Sequence, residues 1–559
     1  MRKTLLVGLD AACWEYVDPL LLSGRMPTLQ SIMNKGTWGT LYSTKPAWTP
    51  TAWASIITGK NPGKHGVFDM LWRRPGTYEF TPTNATARTG TPFWRHLNNA
   101  GLHVGLVNVP FTYPPEPLDG FVVCGFGTPD SVEELTYPSD LLPWIEQEFG
   151  PYEPTVNAEF LRTAPPDSIL QEEKDHQARQ VQIAVRLAER FQVDVLVINL
   201  MLTDHANHKM PAMEQVYEAY QSSDQDLAQL IRAFQPDDTL LISDHGSTRL
   251  NGDFLLYAWL HDQGYYMLAE NQPSERRAAL NWLLVQWLQN HHDWAGLTEK
   301  ILRRLLQEAL YRLPGTVTER IWSKIESVIP FAREHFVWSE RPDYRRTRVY
   351  PGSVYSGLLY FNRVGREPLG ILRAEDRGSL VSELASKLLE IKDPDTLQPL
   401  FSNIHDSKQQ YAGPAVESGP DLILESFSSG WNLRMGNLTP SPMRVRDKYF
   451  VDASERKEFG WHSQAGIFVF SGSDFLTGPA PITGQVIDIP ATLLHLYGIP
   501  IPEDYDARVL TELLEPGLAQ QPIHLQPGDV IASHDTRTAL SPEEAAALAA
   551  HLRALGYLS

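Results

Sequence analysis

Residues 45–69 read KPAWTPTAWASIITGKNPGKHGVFD. An extended approach gives way to a short helix and then to a turn. Thr49 sits at the changeover, and Pro50 follows it. Proline suits a first helical position because its missing N–H costs nothing there. A hydroxyl at that point lies among free backbone N–H groups, a favourable place for an anion. Gly59, Asn61-Pro62 and Gly66 then mark a turn-rich loop. By itself this pattern is that of a capping threonine. The carboxylates and histidines elsewhere in the chain change that reading.

Working outward, residues 3–9 form an apolar run that predicts a buried strand ending at Asp10. Carboxyl ends of parallel strands are where open α/β sheets place ligands. A helix is expected from Met26 to Gly36, then a strand leading to Thr49, a helix closed by Gly101, and a strand over LHVGLVNVP. Residues 111–180 look less regular, with loop-forming runs such as PPEPLDG and TAPPDS. From Gln171 to Phe191 the spacing predicts a long amphipathic helix. It feeds a buried strand, FQVDVLVINLM, that delivers TDHANHKM at 203–210. After a further helix, strand TLLISDHGS at 239–247 ends in Asp244-His245. Strands alternating with helices predict an α/β fold: a mostly parallel central sheet with helices on both faces.

Residues 255–345, rich in Trp, Leu and Arg, read as a helical insertion or cap. A hairpin near Arg348 is expected to return the chain to the sheet, and GPDLILE at 419–425 adds a strand. EFGWHSQAGIFVFSG, ending at 472, reads as a loop carrying His462 followed by a strand, and a helix begins at Asp488-Pro490. The expected organisation is a discontinuous core, 1–254 and 346–515, the insertion 255–345, and a tail 516–559 whose helix is capped by Ser541 and Glu544.

Composition limits function. The chain has 559 residues and a net charge of −19, which argues against binding a nucleic-acid polymer. Phosphate chemistry in so acidic a protein needs local cations, either metal ions or lysines and arginines at the site. Two cysteines, Cys13 and Cys124, with no CxxC spacing, point to a reduced, cytoplasmic setting. The apolar run at the N-terminus stops at Asp10, too short for a signal segment, and no stretch approaches the roughly 20 apolar residues of a membrane span.

Asp10, Asp204, His208, Asp244, His245 and His462 all end strands or lie beside such ends in this reading. Carboxylate oxygens with imidazole nitrogens suit zinc and other first-row divalent ions. Six such groups suffice for two ions with positions left open for substrate. Asp204 and His208 are four apart, one face of a helical turn. Each residue has a plainer reading: Asp10 as a cap, His462 as a loop histidine, His65 as a residue pinning its turn. His205, beside Asp204, is set aside as a decoy.

Taken together, Asp10, Thr49 to Gly59, Asp204–His208, Asp244–His245 and His462 resemble the alkaline phosphatase superfamily in order and local spacing. The branch they resemble is that of type I phosphodiesterases and nucleotide pyrophosphatases. The resemblance implies an alkaline phosphatase-like fold over roughly 1–250 and 350–510. It implies one metal at Asp204, His208 and His462, and a second at Asp10, Thr49, Asp244 and His245. Two divalent ions are therefore expected, zinc foremost, with manganese or iron also suited. Thr49 would be the nucleophile, and a covalent phospho-enzyme would form on it. The substrate would be a small phosphoester. That branch carries an Asn just after its His-Gly turn, where this chain has Asp69-Met70. Lys45, Lys60 and Lys64 are the substitutes considered for that phosphoryl contact. Phosphomonoesterase or phosphonate hydrolase activity on the same scaffold is the alternative, and a non-catalytic binding protein a further one.

Overall fold

The computed structural model describes residues 2–129, 132, 134–268, 342–352, 357–425, 430–434, 445–447, 449–452, 459–529 and 540–555. Most of the expected helical insertion lies outside these residues. Of it, the helix Leu256–Asp262 is described.

The first strand, Thr4–Leu9, lies at the middle of a ten-stranded sheet. It pairs in parallel with Val195–Leu200 on one side and Asp238–Ile242 on the other. Val104–Val107 and Gly120–Val123 continue the parallel set outward. Beyond Asp238–Ile242 the sense reverses: Ala465–Gly472 runs antiparallel to it, and Gly36–Tyr42 runs antiparallel to Ala465–Gly472. The strands Gly478–Pro479, Gly484–Gln485 and Thr136–Tyr137 complete the edges.

Alternation along the strands builds two cores. Leu5, Val7 and Leu9 face one layer with Leu196, Ile198 and Leu200, under the helices Pro27–Met33, Pro166–Phe191 and Met213–Phe234. Leu6, Val195, Val197, Leu240 and Ile242 face the other, under Thr49–Thr58, Phe93–Asn99 and Ile489–Leu496. Both faces are covered, which is why these strands read as continuous apolar runs.

Several expectations are corrected in detail. Gly36 does not close a helix; it opens a strand, where a side chain would collide with the backbone of Phe470. The stretch 111–180 holds the sheet strand Gly120–Val123, and the long helix already starts at Pro166, inside the supposed loop TAPPDS. Pro166 takes the first turn, where proline is tolerated. The hairpin Val349–Pro351 with Leu358–Phe361 does not return to the central sheet. It joins Leu422–Glu425 and Asn403–Asp406 in a separate four-stranded sheet. Gly252–Leu255 pairs with Trp431–Arg434 and Phe450–Asp452 in another. Around them Phe254, Leu358, Phe361, Leu384, Leu422 and Trp431 form a third core. The chain re-enters the central sheet at Ala465. The tail helix Pro542–Leu555 is capped as expected: Glu544 N–H donates to Ser541 Oγ at 3.1 Å and Ser541 N–H to Glu544 Oε2 at 2.7 Å.

Gly8 is a tight point in this packing. A Cβ there would strike Asn199 Oδ1 and Trp53. Asn199 in turn holds Asp10. Gly8→Ala is expected to cost about 1–3 kcal/mol of stability, as overpacking does, read by denaturant unfolding against the parent protein.

Candidate active site

Asp10, Asp244 and His245 stand at the carboxyl ends of neighbouring parallel strands. Asp10 follows Leu9, and its N–H donates to Leu200 O at 3.1 Å. Asn199 Nδ2 donates to Asp10 Oδ2 at 2.9 Å, and Thr203 Oγ1 to Asp10 O at 2.5 Å. Asp204 and His208 lie one turn apart on the short helix Leu202–Lys209. His462 is not in a loop. It sits on the strand Gly460–Ser463, paired antiparallel with Gly246–Arg249, His462 opposite Ser247. That register brings residues 245 and 462 side by side, and their rings stack with centroids 4.0 Å apart.

Thr49 is the first residue of the helix Thr49–Thr58, Trp48 is its cap, and Pro50 is second. The capping reading is therefore replaced: Thr49 Oγ1 lies 3.1 Å from His245 Nε2. The preceding strand ends at Tyr42, so residues 43–48 form an irregular approach. The turn beyond the helix is pinned by His65. Val67 N–H donates to His65 Nδ1 at 3.1 Å, which leaves Nε2–H to donate to Ser55 Oγ at 2.9 Å.

Two groups of donors result. In one, His208 Nε2 and His462 Nε2 are 3.0 Å apart, with Asp204 Oδ1 at 3.4 and 3.5 Å from them. In the other, His245 Nε2 is 3.6 Å from Asp10 Oδ1 and 3.4 Å from Asp244 Oδ2. Within each group the donor atoms lie within 4.8 Å of one another. His245 Nδ1 faces Gly246 O at 3.2 Å and His462 Nδ1 faces Ala47 O at 3.1 Å. Those bonds place the protons on Nδ1 and turn the Nε2 lone pairs inward.

All seven side chains are buried. Burial, then the charges of Asp244 and Asp204, raise Asp10 well above the usual carboxylate range. Burial and the charge of Asp204 push Asp244 up to about 8. Burial lowers His245 to about 4. Asp10 Oδ1 and Asp244 Oδ2 accept no hydrogen bond among the described residues. Crowded carboxylate oxygens and inward Nε2 lone pairs, shut away from water, fit divalent cations in both groups.

His205 points elsewhere, with Nδ1 2.9 Å from Glu173 Oε2. Lys60 is drawn off by Asp504 and Asp529, at 2.6 and 2.7 Å, and Lys64 by Asp506 at 2.6 Å. Lys45 Nζ is 3.8 Å from Glu425. Asp69 Oδ1 accepts from Met70 N–H at 2.6 Å, and Met70 is core. Sequence reasoning passed over Asn199, although an amide in a strand that is buried throughout requires a polar partner.

The fold defines a class, the α/β proteins of alkaline phosphatase-like architecture. The family model described as type I phosphodiesterase / nucleotide pyrophosphatase matches residues 4–343, and the chain belongs to that family. It is a phosphoester hydrolase by class. No curated protein matches the chain. Among solved structures, phosphonoacetate hydrolase from Sinorhizobium meliloti 1021 in complex with phosphonoacetate aligns with a TM-score of 0.51 at 13% identity, over 88% of this chain and 94% of that chain. Its complex with phosphonoformate gives 0.50 at 14%, with the same coverage of 88% and 94%. Murine ectonucleotide pyrophosphatase/phosphodiesterase 5, an inactive variant with AMP, gives 0.48 at 11%, over 92% and 100%. With the two phosphonoacetate hydrolase complexes the likeness is one of fold.

Burial lowers His65 from 6.5 to about 3. A histidine held neutral in the fold stabilises it above pH 6.5, and that contribution is lost as pH falls toward 3. His65→Gln is expected to flatten this part of the acid limb, measured as unfolding midpoint against pH.

Proposed function

We propose that the protein hydrolyses phosphodiesters, with Thr49 as nucleophile and two divalent cations in the site. Asp204, His208 and His462 would hold one cation, and Asp10, Asp244 and His245, with Thr49, the other. When bound, such ions lower the pKa of a coordinated hydroxyl and offset charge on the phosphoryl oxygens and the leaving oxygen. The observation that carries the reading is Thr49 Oγ1 lying 3.1 Å from His245 Nε2, at a helix start, beside both donor groups.

The protein's own residues then have definite tasks. Thr49 Oγ attacks phosphorus, and the bond to the departing alcohol breaks. The covalent intermediate is a phosphodiester between Thr49 and the second alcohol, and water cleaves its bond to Thr49 to release a monoester. The alcohol leaves with a proton, and the water restores one to Thr49. The N-terminal N–H groups of the helix behind Thr49 face the phosphoryl oxygens. Burial of the site excludes bulk water and strengthens these contacts. The family match favours a diester over a monoester. So does the engagement of Lys60 and Lys64 by aspartates, because a terminal phosphate carries an extra charge that calls for a free cationic side chain.

The donor set accepts zinc first, and manganese or iron as well. Among the described residues no helix is long and apolar enough to cross a membrane. Two buried, unbridged cysteines support a reducing, cytoplasmic location.

Protein loaded with zinc or manganese is expected to turn over bis(p-nitrophenyl) phosphate faster than p-nitrophenyl phosphate. Turnover of neither would overturn the proposal, and a faster monoester would favour the alternative. Thr49→Ala is expected to lower kcat by roughly a thousandfold or more, with bound metal, read by elemental analysis, nearly unchanged. Chelation is expected to abolish turnover and lower the thermal midpoint, with both restored by the ion.

A further inference from the structure

Residues 43–48, the approach to Thr49, form neither helix nor strand, yet their backbone is tied at nearly every position. Ser43 N–H donates to Gln464 O at 2.9 Å, and Gln464 Nε2 donates to Thr44 O at 3.1 Å. Pro46 O accepts from Thr44 Oγ1 at 2.8 Å and from Trp48 N–H at 3.1 Å. Ala47 O faces His462 Nδ1 at 3.1 Å. Lys45 is tied from outside the catalytic sheet. Its N–H donates to Tyr411 Oη at 3.0 Å, and Tyr411 Oη donates back to Lys45 O at 2.5 Å.

Resting on the reading of Thr49 as nucleophile, we infer that Tyr411 is a positioning residue, whose hydroxyl fixes the backbone four residues before Thr49 and makes the accessory sheet part of the catalytic unit. A phenol suits this task because one oxygen both donates and accepts. Burial keeps Tyr411 protonated by raising its pKa. Its base is firmly held. It follows the short helix Ser407–Gln410, where Tyr411 N–H donates to Ser407 O at 3.0 Å. Asp406 caps that helix through Lys408 N–H at 3.0 Å and is gripped by Arg377 at 2.6 and 3.0 Å. Arg377 also reaches Asp421 Oδ1 at 3.1 Å. The Tyr411 ring rests against Phe68, centroids 6.2 Å apart.

The tether matters because Thr44 and Lys45 are only partly buried, whereas Ala47 and Trp48 beyond them are packed into the interior. A cavity of about 480 Å³ flanks the approach and is lined by Ser43, Thr44, Lys45, Tyr411, Glu425 and Gln464. At Thr44 and Lys45 the backbone borders that open space, and hydrogen bonds hold it there. A displacement near 1 Å at a nucleophile is enough to slow a reaction by about a hundredfold.

The test uses the full, metal-loaded chain. Tyr411→Phe keeps the ring against Phe68 and removes only the hydroxyl. It is expected to lower kcat for bis(p-nitrophenyl) phosphate roughly ten- to hundredfold, with KM within about twofold. Bound metal and thermal midpoint should match the parent, and hydrogen exchange at the Lys45 amide should quicken. Tyr350→Phe is the control. It removes a hydroxyl of the same accessory unit, one that donates to Glu367 at 2.9 Å, and should leave kcat unchanged. Unchanged kcat in Tyr411→Phe, or an equal loss in Tyr350→Phe, overturns the positioning role. Should Tyr411→Phe fail to fold, Gln464→Ala, which frees Thr44 O, must lower kcat in the same manner, and its failure to do so overturns the inference. If Thr49→Ala keeps full turnover, the nucleophile reading falls instead, and the Lys45 exchange rate alone decides the tether.

Discussion

Three carboxylates share one dry space. Asp10, Asp204 and Asp244 are buried within a few ångströms of three imidazoles, where like charges repel with little screening. Burial opposes ionisation of Asp204, but His208 and His462 hold it well below the usual range. For Asp10 and Asp244, burial and neighbouring carboxylates outweigh the relief that His245, Asn199 and the Ala11 N–H give, and both rise. A fold that relaxed freely would spread these groups apart. The central sheet prevents that by fixing each one to a strand end or to a helix that starts there.

The restraint is distributed over several elements. Parallel pairing of Thr4–Leu9 with both neighbours sets Asp10 and Asp244 side by side. Asn199, one strand over, ties Asp10 from within the sheet. The helix Leu202–Lys209 begins two residues after its strand ends, so Asp204 cannot drift from Asp10. Thr49 arrives from the far side of the sheet on an irregular approach, and it needs side-chain tethers where the others have strand ladders.

Much of this was legible in the sequence because the same physics writes both. Strands buried on two faces must be apolar throughout, so Asp10, Asp204 and Asp244 stand out where those runs stop. The i, i+4 spacing of Asp204 and His208 encodes a shared helix face. His462 was harder to interpret: its strand is four residues long, and its partner lies more than two hundred positions away, so no local pattern announces it. The accessory sheets were missed for a related reason. Their strands are three or four residues long and look like the returning edge of the main sheet. Thr49 read as a cap because a cap and an N1 hydroxyl beside an imidazole differ only in tertiary surroundings. Lys60 and Lys64 looked available because their aspartate partners lie over four hundred residues onward.

The small ladder between Gly246–Arg249 and Gly460–Ser463 closes like a clasp. The described residues between those strands lie outside the catalytic sheet, while the residues on either side of the clasp stay in register. The ladder itself holds His245 against His462, with centroids 4.0 Å apart, across the more than two hundred residues that separate its strands. Through the loop carrying Tyr411 the accessory unit nevertheless reaches back to Lys45, on the approach to Thr49.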